Sequence, residues 1–346
     1  MTDIADSLEK VTMEYLGTFA LGVCLFGITF CASANDTIGR VGIGGITFEK
    51  SDQIRMVKEV LEISTSKVRV LYRFKNESNV DIHSTVLFPM PGQFFVHPEV
   101  WSYGMKSVTT LSVAVDGKPV NTKTLQKATY KENDITDKLR KIGFNEEQIF
   151  KTYGGYEYPT DQETGGITWK FSNAQRKNMQ NQFGKDFFGE YGEPRWKVEE
   201  TFYWDQIFPA GQEIEVAHEY TPFSGTQDLG AYVKDGYKYS LGGEACLDAG
   251  ALAYLNKKNK IENEGAKVKG YLHRASGVEY ILGTGRNWKG MIGDFTLRLI
   301  KDSPSQIVSL CFPGKPRKIN PVTLEFKHTN FVPQDKLVVY FIGGSE

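Results

Sequence analysis

The chain has 346 residues, 40% of them hydrophobic and 24% charged, and a formal net charge of −1. This balance predicts a globular protein with one large or two ordinary domains and excludes a disordered or wholly membrane-embedded chain. It also gives no support for nucleic-acid binding, which would need a basic surface.

An uncharged run at residues 15–30 is followed by Cys31-Ala-Ser-Ala34. An apolar run that ends in an Ala-x-Ala-like site is typical of a secretory signal peptide, here cleaved near Ala34. The alternative is an uncleaved N-terminal anchor, but as a helix the run would reach only about 24 Å, short of a hydrocarbon core of about 30 Å. The leader before the run is acidic, and translation starts at Met1 or Met13. We therefore expect a periplasmic or secreted protein with no stable membrane insertion after cleavage.

Alternating apolar side chains predict strands in the next third of the chain. Residues 68–74 and 80–88 each alternate, and their apolar faces match if the two strands pair as a hairpin. Asp116-Gly117 is a strong signal for a second hairpin. Pro119 in its return strand indicates a sheet edge, because proline cannot donate to a central ladder.

Short helices are expected in the middle of the chain. Ile135, Leu139 and Ile142 have helical spacing, and Gly143 supplies the C-terminal stop. Capping patterns predict helices after residues 145 and 172, and a last helix is expected at 248–258. Further strands are predicted at 198–204, 214–220, 268–273, 278–282, 295–300, 307–311, 322–326 and 337–342.

These elements predict a mainly β fold (α+β overall) with sandwich-like antiparallel sheets. We expect a signal peptide at 1–34 and a β-sandwich-like domain at 35–225, with a helical and aromatic insertion at about 131–195. A C-terminal α+β region, a helix plus strands, would follow at 226–346.

Several segments stand in a characteristic order along the chain. They are Asn35-Asp36, Gly44-Gly45 with Phe48, 68–76, 86–91, 202–211, Cys246-Leu-Asp248, Cys311 and Asn330-Phe-Val-Pro333. Together they resemble the bacterial domain-of-unknown-function family 4424, over nearly the whole mature chain. The resemblance implies export from a bacterial cell, and it supplies no catalytic residue because the family has no assigned activity.

Cysteine usage agrees with export. Cleavage near Ala34 would remove Cys24 and Cys31 and leave Cys246 and Cys311 as a single pair. In an oxidising compartment we expect these two to form one disulfide, with two buried free thiols as the alternative. The spacing is neither CxxC nor that of a Cys/His metal site, so we expect no metal and no catalytic redox role.

No local catalytic or cofactor motif is present, whether a G-x-S-x-G elbow, a P-loop, an HExxH sequence or an EF-hand loop. His218 is the most interesting histidine because Asp205 lies across the turn from it. The strand pattern, however, places His218 on an apolar face beside Trp204, as a core histidine with its hydrogen bonds satisfied. We therefore expect a non-catalytic binding protein without a cofactor. The alternatives are a secreted, glycan-directed hydrolase whose site is assembled from distant segments, and a membrane-tethered assembly factor.

Residues 153–208 hold fourteen aromatic residues, many of them beside glycines. Aromatic side chains on loops bury much area at a low entropic cost and can recognise proteins or sugars. We predict a recognition surface here for an unknown protein or glycan, with Tyr156, Tyr158 and Tyr191 as contacts. The alternative is that these aromatics pack the insertion onto the sheets.

Overall fold

The computed structural model describes residues 36–42, 45–94, 111–150, 171–188, 194–222, 224–228, 230–233, 236–239, 246–253 and 274–343. Residues 32–346 form one compact unit. Within the described residues, no helix is long and apolar enough to cross a membrane.

The predicted mainly β fold is confirmed. In chain order the strands are β1 (Thr37–Gly42), β2 (Gly45–Glu49), β3 (Ile54–Ile63), β4 (Val68–Asn76), β5 (Ile82–Pro89), β6 (Gln93–Phe94), β7 (Leu111–Val115), β8 (Lys118–Val120), β9 (Lys123–Tyr130), β10 (Asn133–Asp134), β11 (Lys197–Phe208), β12 (Glu213–Tyr220), β13 (Ser224–Asp228), β14 (Gly230–Val233), β15 (Gly236–Tyr239), β16 (Arg274–Ile281), β17 (Ile292–Ile300), β18 (Ile307–Leu310), β19 (Arg317–Asn320), β20 (Thr323–Phe331) and β21 (Lys336–Ile342). The α-helices are α1 (Thr136–Lys141), α2 (Glu146–Phe150) and α3 (Asn173–Phe183), and 3₁₀ turns lie at Lys185–Phe187 and Gly283–Asn287.

The described strands form three larger sheets and a two-stranded ribbon, β14-β15. The first sheet has the order β10-β9-β11-β5-β1-β2, with β6 also on β11, and the second has the order β19-β20-β17-β3-β4-β12-β7-β8. The third sheet has the order β13-β16-β21-β18. Neighbours are antiparallel except for β17 and β3, which pair in parallel.

One hydrophobic core joins these sheets. In β4 the side chains of Val68, Val70, Tyr72 and Phe74 are buried while their neighbours face outward, as the period of two requires. The same cluster contains Phe88 of the first sheet and residues of β16 and β21 from the third. The second sheet is therefore one layer, and the first and third sheets pack on its inner face.

The predicted hairpin between residues 68–74 and 80–88 is wrong. β4 pairs with β3 and β12, whereas β5 pairs with β1 and β11 in the other layer. The buried Asn76 amide donates to the carbonyl oxygens of Val80 and Phe208, at 2.8 Å each, and fixes the turn between layers. The two apolar faces match because they face each other across the core, rather than lying side by side.

The local turn and helix signals are confirmed. Asp116 and Gly117 have φ values of 47° and 75°, as the β7–β8 hairpin requires, and Pro119 lies in the edge strand β8. The α3 helix begins with a reciprocal capping box between Ser172 and Gln175. The last predicted helix is described at 249–253 only, and the predicted strand at 268–273 lies outside the described residues.

Strands from both sides of the predicted 225–226 domain boundary share the second sheet. The boundary falls within β13, and β17 pairs with β3 along six residue pairs from Asp294–Lys58 to Leu299–Ile63. Strand β20 then adds to the far side of β17.

Candidate functional site

The three predicted contact residues, Tyr156, Tyr158 and Tyr191, lie outside the described residues. Most of the described aromatics of residues 153–208 are buried or partly buried in a core. One group packs in a separate cluster within the insertion: Phe171, Phe183, Phe187, Phe188 and Trp196. A second group, Phe202, Trp204 and Phe208, belongs to the main core. For these eight residues the packing alternative is correct.

The insertion core fixes the ends of the two segments that carry these tyrosines. The buried Trp196 indole donates to the carbonyl oxygen of Ile149, 3.1 Å away, one residue before α2 ends. Phe188 and Pro194, the described residues on either side of 189–193, form a β-bridge. Phe150, Phe171 and Phe188, which flank the two tyrosine segments, belong to the insertion core.

A groove of about 610 Å³ crosses the outer face of the second sheet. Five small or apolar residues stand opposite one another on neighbouring strands and form its floor: Val60, Leu71, Ala217, Ala114 and Pro119. The two alanines leave space where larger side chains would fill the face. The floor runs perpendicular to the strands, so it spans about 19 Å at a strand spacing of about 4.8 Å.

Charged residues two positions along the strands form one wall of this groove. Arg298 donates to Glu62 at 2.9 Å and to Glu325 at 3.0 Å. Glu219 accepts from Lys67 at 2.6 Å and pairs with Arg69 at 2.9 Å. The hydrogen bond from Lys67, together with the nearby Arg69, lowers the pKa of Glu219 below its usual value. This wall therefore stays ionised at neutral pH.

The opposite wall is less balanced. It contains Lys58, and Arg73 stands directly opposite Lys58 on β4, just beyond the lining residues. Arg73 pairs with Glu215 at 3.6 Å, whereas Lys58 has no ion pair within the described part of the chain. On its other side Lys58 stands opposite the exposed Asp294 of β17, so this end of the groove carries charges of both signs.

A second group of polar residues is sealed inside the core. Asp36 and His218 have no exposed side-chain surface, and Asp36 Oδ1 lies 3.5 Å from His218 Nε2. Glu59 is fully buried, and the hydroxyls of Tyr72 and Tyr280 share a hydrogen bond of 2.9 Å. We call Asp36, Glu59, Tyr72, His218, Tyr220 and Tyr280 the buried polar cluster.

Burial pushes the cluster toward its neutral forms. Desolvation lowers the pKa of His218 from its ordinary 6.5 to about 3. Desolvation and the charge of Glu59 raise the pKa of Asp36 well above its ordinary value. The Asp36–His218 contact is therefore not an ion pair at neutral pH, because His218 carries no charge.

The prediction for His218 is half right. It lies in the core beside Trp204, with ring centroids 5.3 Å apart. Among the described residues, however, neither of its ring nitrogens has a hydrogen-bond partner. Its neighbour Asp36 comes from a distant part of the sequence, and no local pattern links the two residues.

The sequence analysis predicted no strand at 54–63 and did not single out Glu59, which faces inward because a β-bulge shifts the phase of β3. The pairing of β3 with β4 is irregular between Met56 and Lys58. Met56 faces inward before the bulge and Glu59 faces inward after it, which breaks a strict alternation.

The predicted disulfide between Cys246 and Cys311 is confirmed, with the Cα atoms 5.2 Å apart. Cys246 lies two residues before Asp248, where the helical turn at 249–253 begins, and Cys311 directly follows the last residue of β18. Among the described residues, no group of three His, Cys, Asp or Glu side chains could hold a metal ion.

A family model described as a domain of unknown function, DUF4424, matches residues 34–340. No curated protein matches the chain. One similar solved structure is a Legionella pneumophila protein with the provisional name of nutrient-binding protein. It is 14% identical with a TM-score of 0.43, and the match covers 90% of this chain and 70% of that one. A likeness this weak carries no information on function.

Proposed function

Because the chain belongs to the DUF4424 family, whose function is unknown, we propose a function from its surfaces: it is an exported binding protein and not an enzyme. The groove across the second sheet is the observation that carries this proposal. Its volume of about 610 Å³ is within the range of about 300–1,000 Å³ typical of small-molecule sites.

The chemistry of the groove favours an organic anion with an apolar body. The apolar floor would contact the apolar part of the ligand. The ion pairs in the walls hold the charged side chains in fixed positions, so these side chains would not need to rearrange when the ligand binds. Lys58 forms no ion pair among the described residues, so the anionic group, such as a carboxylate, would lie at its end of the groove.

Tyr156, Tyr158 and Tyr191 form a second contact surface in this proposal, for a partner protein or glycan. Its support is the packed insertion core around Trp196, which includes Phe150, Phe171 and Phe188, described residues that flank the two tyrosine segments. Recognition residues on loops are effective when a rigid scaffold holds the loop ends.

Export to the periplasm or beyond is supported by two observations. The apolar run at 15–30 ends in a small-residue cleavage site near Ala34. The Cys246–Cys311 disulfide is of a kind that persists in oxidising compartments and is rare in the cytosol.

The hydrolase alternative needs acidic or basic groups that converge from distant segments and meet a substrate. Asp36 and His218 do converge, but their side chains have no solvent exposure. A substrate cannot reach them, so this pair does not favour catalysis.

The groove is tested by native mass spectrometry of protein purified from its own exporting host. We expect wild-type protein to carry a bound organic anion, and Ala217→Trp, which fills the floor, to lose it. Thr124→Trp is the matched control, because Thr124 is an exposed strand residue of the first sheet. An equal ligand load in all three proteins, or none in any, would contradict the proposal.

The tyrosine surface is tested by partner capture with a Tyr156→Ala, Tyr158→Ala, Tyr191→Ala triple variant. We expect weaker capture than with wild type. Tyr203→Ala is the control, since Tyr203 lies in β11 away from the insertion core and contacts Lys123. Loss of capture in the control alone would refute the assignment.

A further inference from the structure

The apolar floor of the groove is one straight line across five strands. Each of its residues stands directly opposite the next, in the order Val60, Leu71, Ala217, Ala114 and Pro119. Four steps at a strand spacing of about 4.8 Å give this line its length of about 19 Å. None of the five side chains carries a polar atom, and each keeps some exposed surface. The floor therefore suits a long, narrow apolar group.

The groove supplies little that would recognise a ring. Among the described residues that line it, the only aromatic one is His218, whose side chain has no exposed surface and faces the core. Sugars and flat aromatic ligands are commonly held by stacking on aromatic side chains and by polar groups placed around the ring. The side chains of the floor offer neither, so the shape and the chemistry of the floor both favour a hydrocarbon chain.

The two ends of the line differ in charge. The charged lining residues belong to the four strands β17, β3, β4 and β12: Arg298, Lys58, Glu62, Arg69 and Glu219. The described lining residues of β7 and β8 are uncharged: Ser112, Val113, Ala114 and Pro119. In the turn that joins these two strands, the Asp116 carboxylate accepts a 2.9 Å hydrogen bond from the Glu215 backbone N–H. An acid in this turn would repel an anion, so the anionic end of a ligand is favoured at the β3 end.

Lys58 is the lining cation at the β3 end that is left for a ligand. The other two lining cations are each 2.9 Å from a glutamate carboxylate. Lys58 forms no ion pair within the described residues, although the exposed Asp294 stands opposite it on β17. Val60 lies two residues along β3 from Lys58, about 7 Å away. A headgroup on Lys58 would therefore place the first carbons of its chain on Val60.

We propose that the groove binds a single-chain amphiphile, an unbranched acyl chain with an anionic headgroup. The headgroup contacts Lys58, and the chain runs over β4, β12 and β7 toward Pro119 in the edge strand β8. An extended chain advances about 1.2 Å per bond, because three bonds of extended backbone span about 3.3–3.6 Å, so the floor accommodates about sixteen bonds. This inference rests on the proposed function, since it names the ligand class of the same groove.

The test is isothermal titration calorimetry of the purified protein with straight-chain fatty acids of roughly six to sixteen carbons, each below its critical micelle concentration. Full burial of one methylene changes affinity about fourfold, and an open groove covers about half of the chain. We therefore expect Kd to fall about twofold per added methylene and to level off near about sixteen carbons. Monoalkyl phosphates of the same lengths form a second series, and the series that binds more tightly identifies the headgroup.

Variants separate the two ends of the groove. Ala114→Trp leaves about 10 Å of floor free from Val60 onward, so we expect octanoate to bind as it does to wild type and longer acids to gain nothing further. Lys58→Gln should weaken binding of every length by a similar factor. Asp294→Asn should strengthen binding of every length, because it removes an acid near the headgroup. Thr124→Trp on the first sheet is the control and should bind as wild type does.

The compact acid 2-naphthoate separates this inference from the proposed function. A Kd that does not depend on chain length, or tighter binding of 2-naphthoate than of undecanoate, would overturn the inference and leave the proposed function standing. So would an Ala114→Trp variant that has the wild-type circular dichroism spectrum and loses octanoate and palmitate equally. If no straight-chain acid, alkyl phosphate or compact acid binds, the inference and the proposed function both fail.

Discussion

His218 lies at the centre of the sandwich as a neutral imidazole. Aromatic rings surround it, with Tyr72, Phe88 and Trp204 at centroid distances of 5.4, 4.8 and 5.3 Å. These rings exclude water, and the lost hydration lowers the pKa of His218 to about 3. The unfolded chain would bind a proton on this residue below pH 6.5 while the folded chain would not.

Stability should therefore fall as the pH falls from 6.5 toward 3, by up to about 1.4 kcal/mol per pH unit from His218. Asp36 acts in the opposite sense, because its raised folded pKa gives stability that is present at low pH and lost as the pH rises. We predict that His218→Gln flattens the acid decline measured by urea unfolding at several pH values. His83→Gln, on the exposed part of β5, should leave the decline unchanged, and parallel curves for all three proteins would contradict this account.

At the scale of elements, short sequence motifs correctly predicted the turns and helix ends that depend on neighbouring residues alone. The Asp116-Gly117 hairpin and the Ser172 capping box depend on residues within a few positions of each other. The β4–β5 hairpin failed because alternation shows which face is apolar and not which strand lies beside it. The inward side chain of Glu59 depends on a bulge that alternation cannot show.

The disulfide should stabilise the C-terminal region by closing a long loop. Cys246 and Cys311 are 65 residues apart, for which the chain-entropy model gives about 4 kcal/mol. We predict that a Cys246→Ala, Cys311→Ala variant loses free energy of unfolding of this order in denaturant titrations. Reduction of wild type should give the same loss, and no further loss should follow reduction of the variant. An unchanged midpoint would show that the bridge does not constrain the unfolded chain.

Trp196 should hold the insertion together. It is fully buried, stacks on Phe187 at 5.6 Å and bonds to Ile149. Trp196→Ala should cost about 3–5 kcal/mol and increase hydrogen exchange in α2 and α3. Exchange in β3 and β4 is the internal control, because these strands belong to the main core. Equal deprotection of both regions would mean that the insertion has no separate core.

At the scale of the whole molecule, the parallel contact between β3 and β17 joins residues far apart in sequence. Such a contact cannot be predicted from periodicity, which reports only the character of each strand. Residues 35–225 alone would leave β3 as an open edge without β17 and β20. We predict that this fragment does not fold cooperatively, as judged by circular dichroism during urea unfolding. A sigmoidal unfolding curve, with a dependence on urea concentration as large as a folded domain of this length should show, would instead support a separate N-terminal domain.

The central claim is that this protein works by binding in the groove of the second sheet. Photo-crosslinking from single sites in the exported protein tests it most directly, with a benzophenone side chain at Ala217 in the groove, at Tyr158 in the insertion, or at Thr124 on the first sheet. We predict a discrete adduct mass from Ala217, an adduct with a larger partner from Tyr158, and neither from Thr124. The absence of an adduct at Ala217, or the same adducts at Thr124, would contradict the claim.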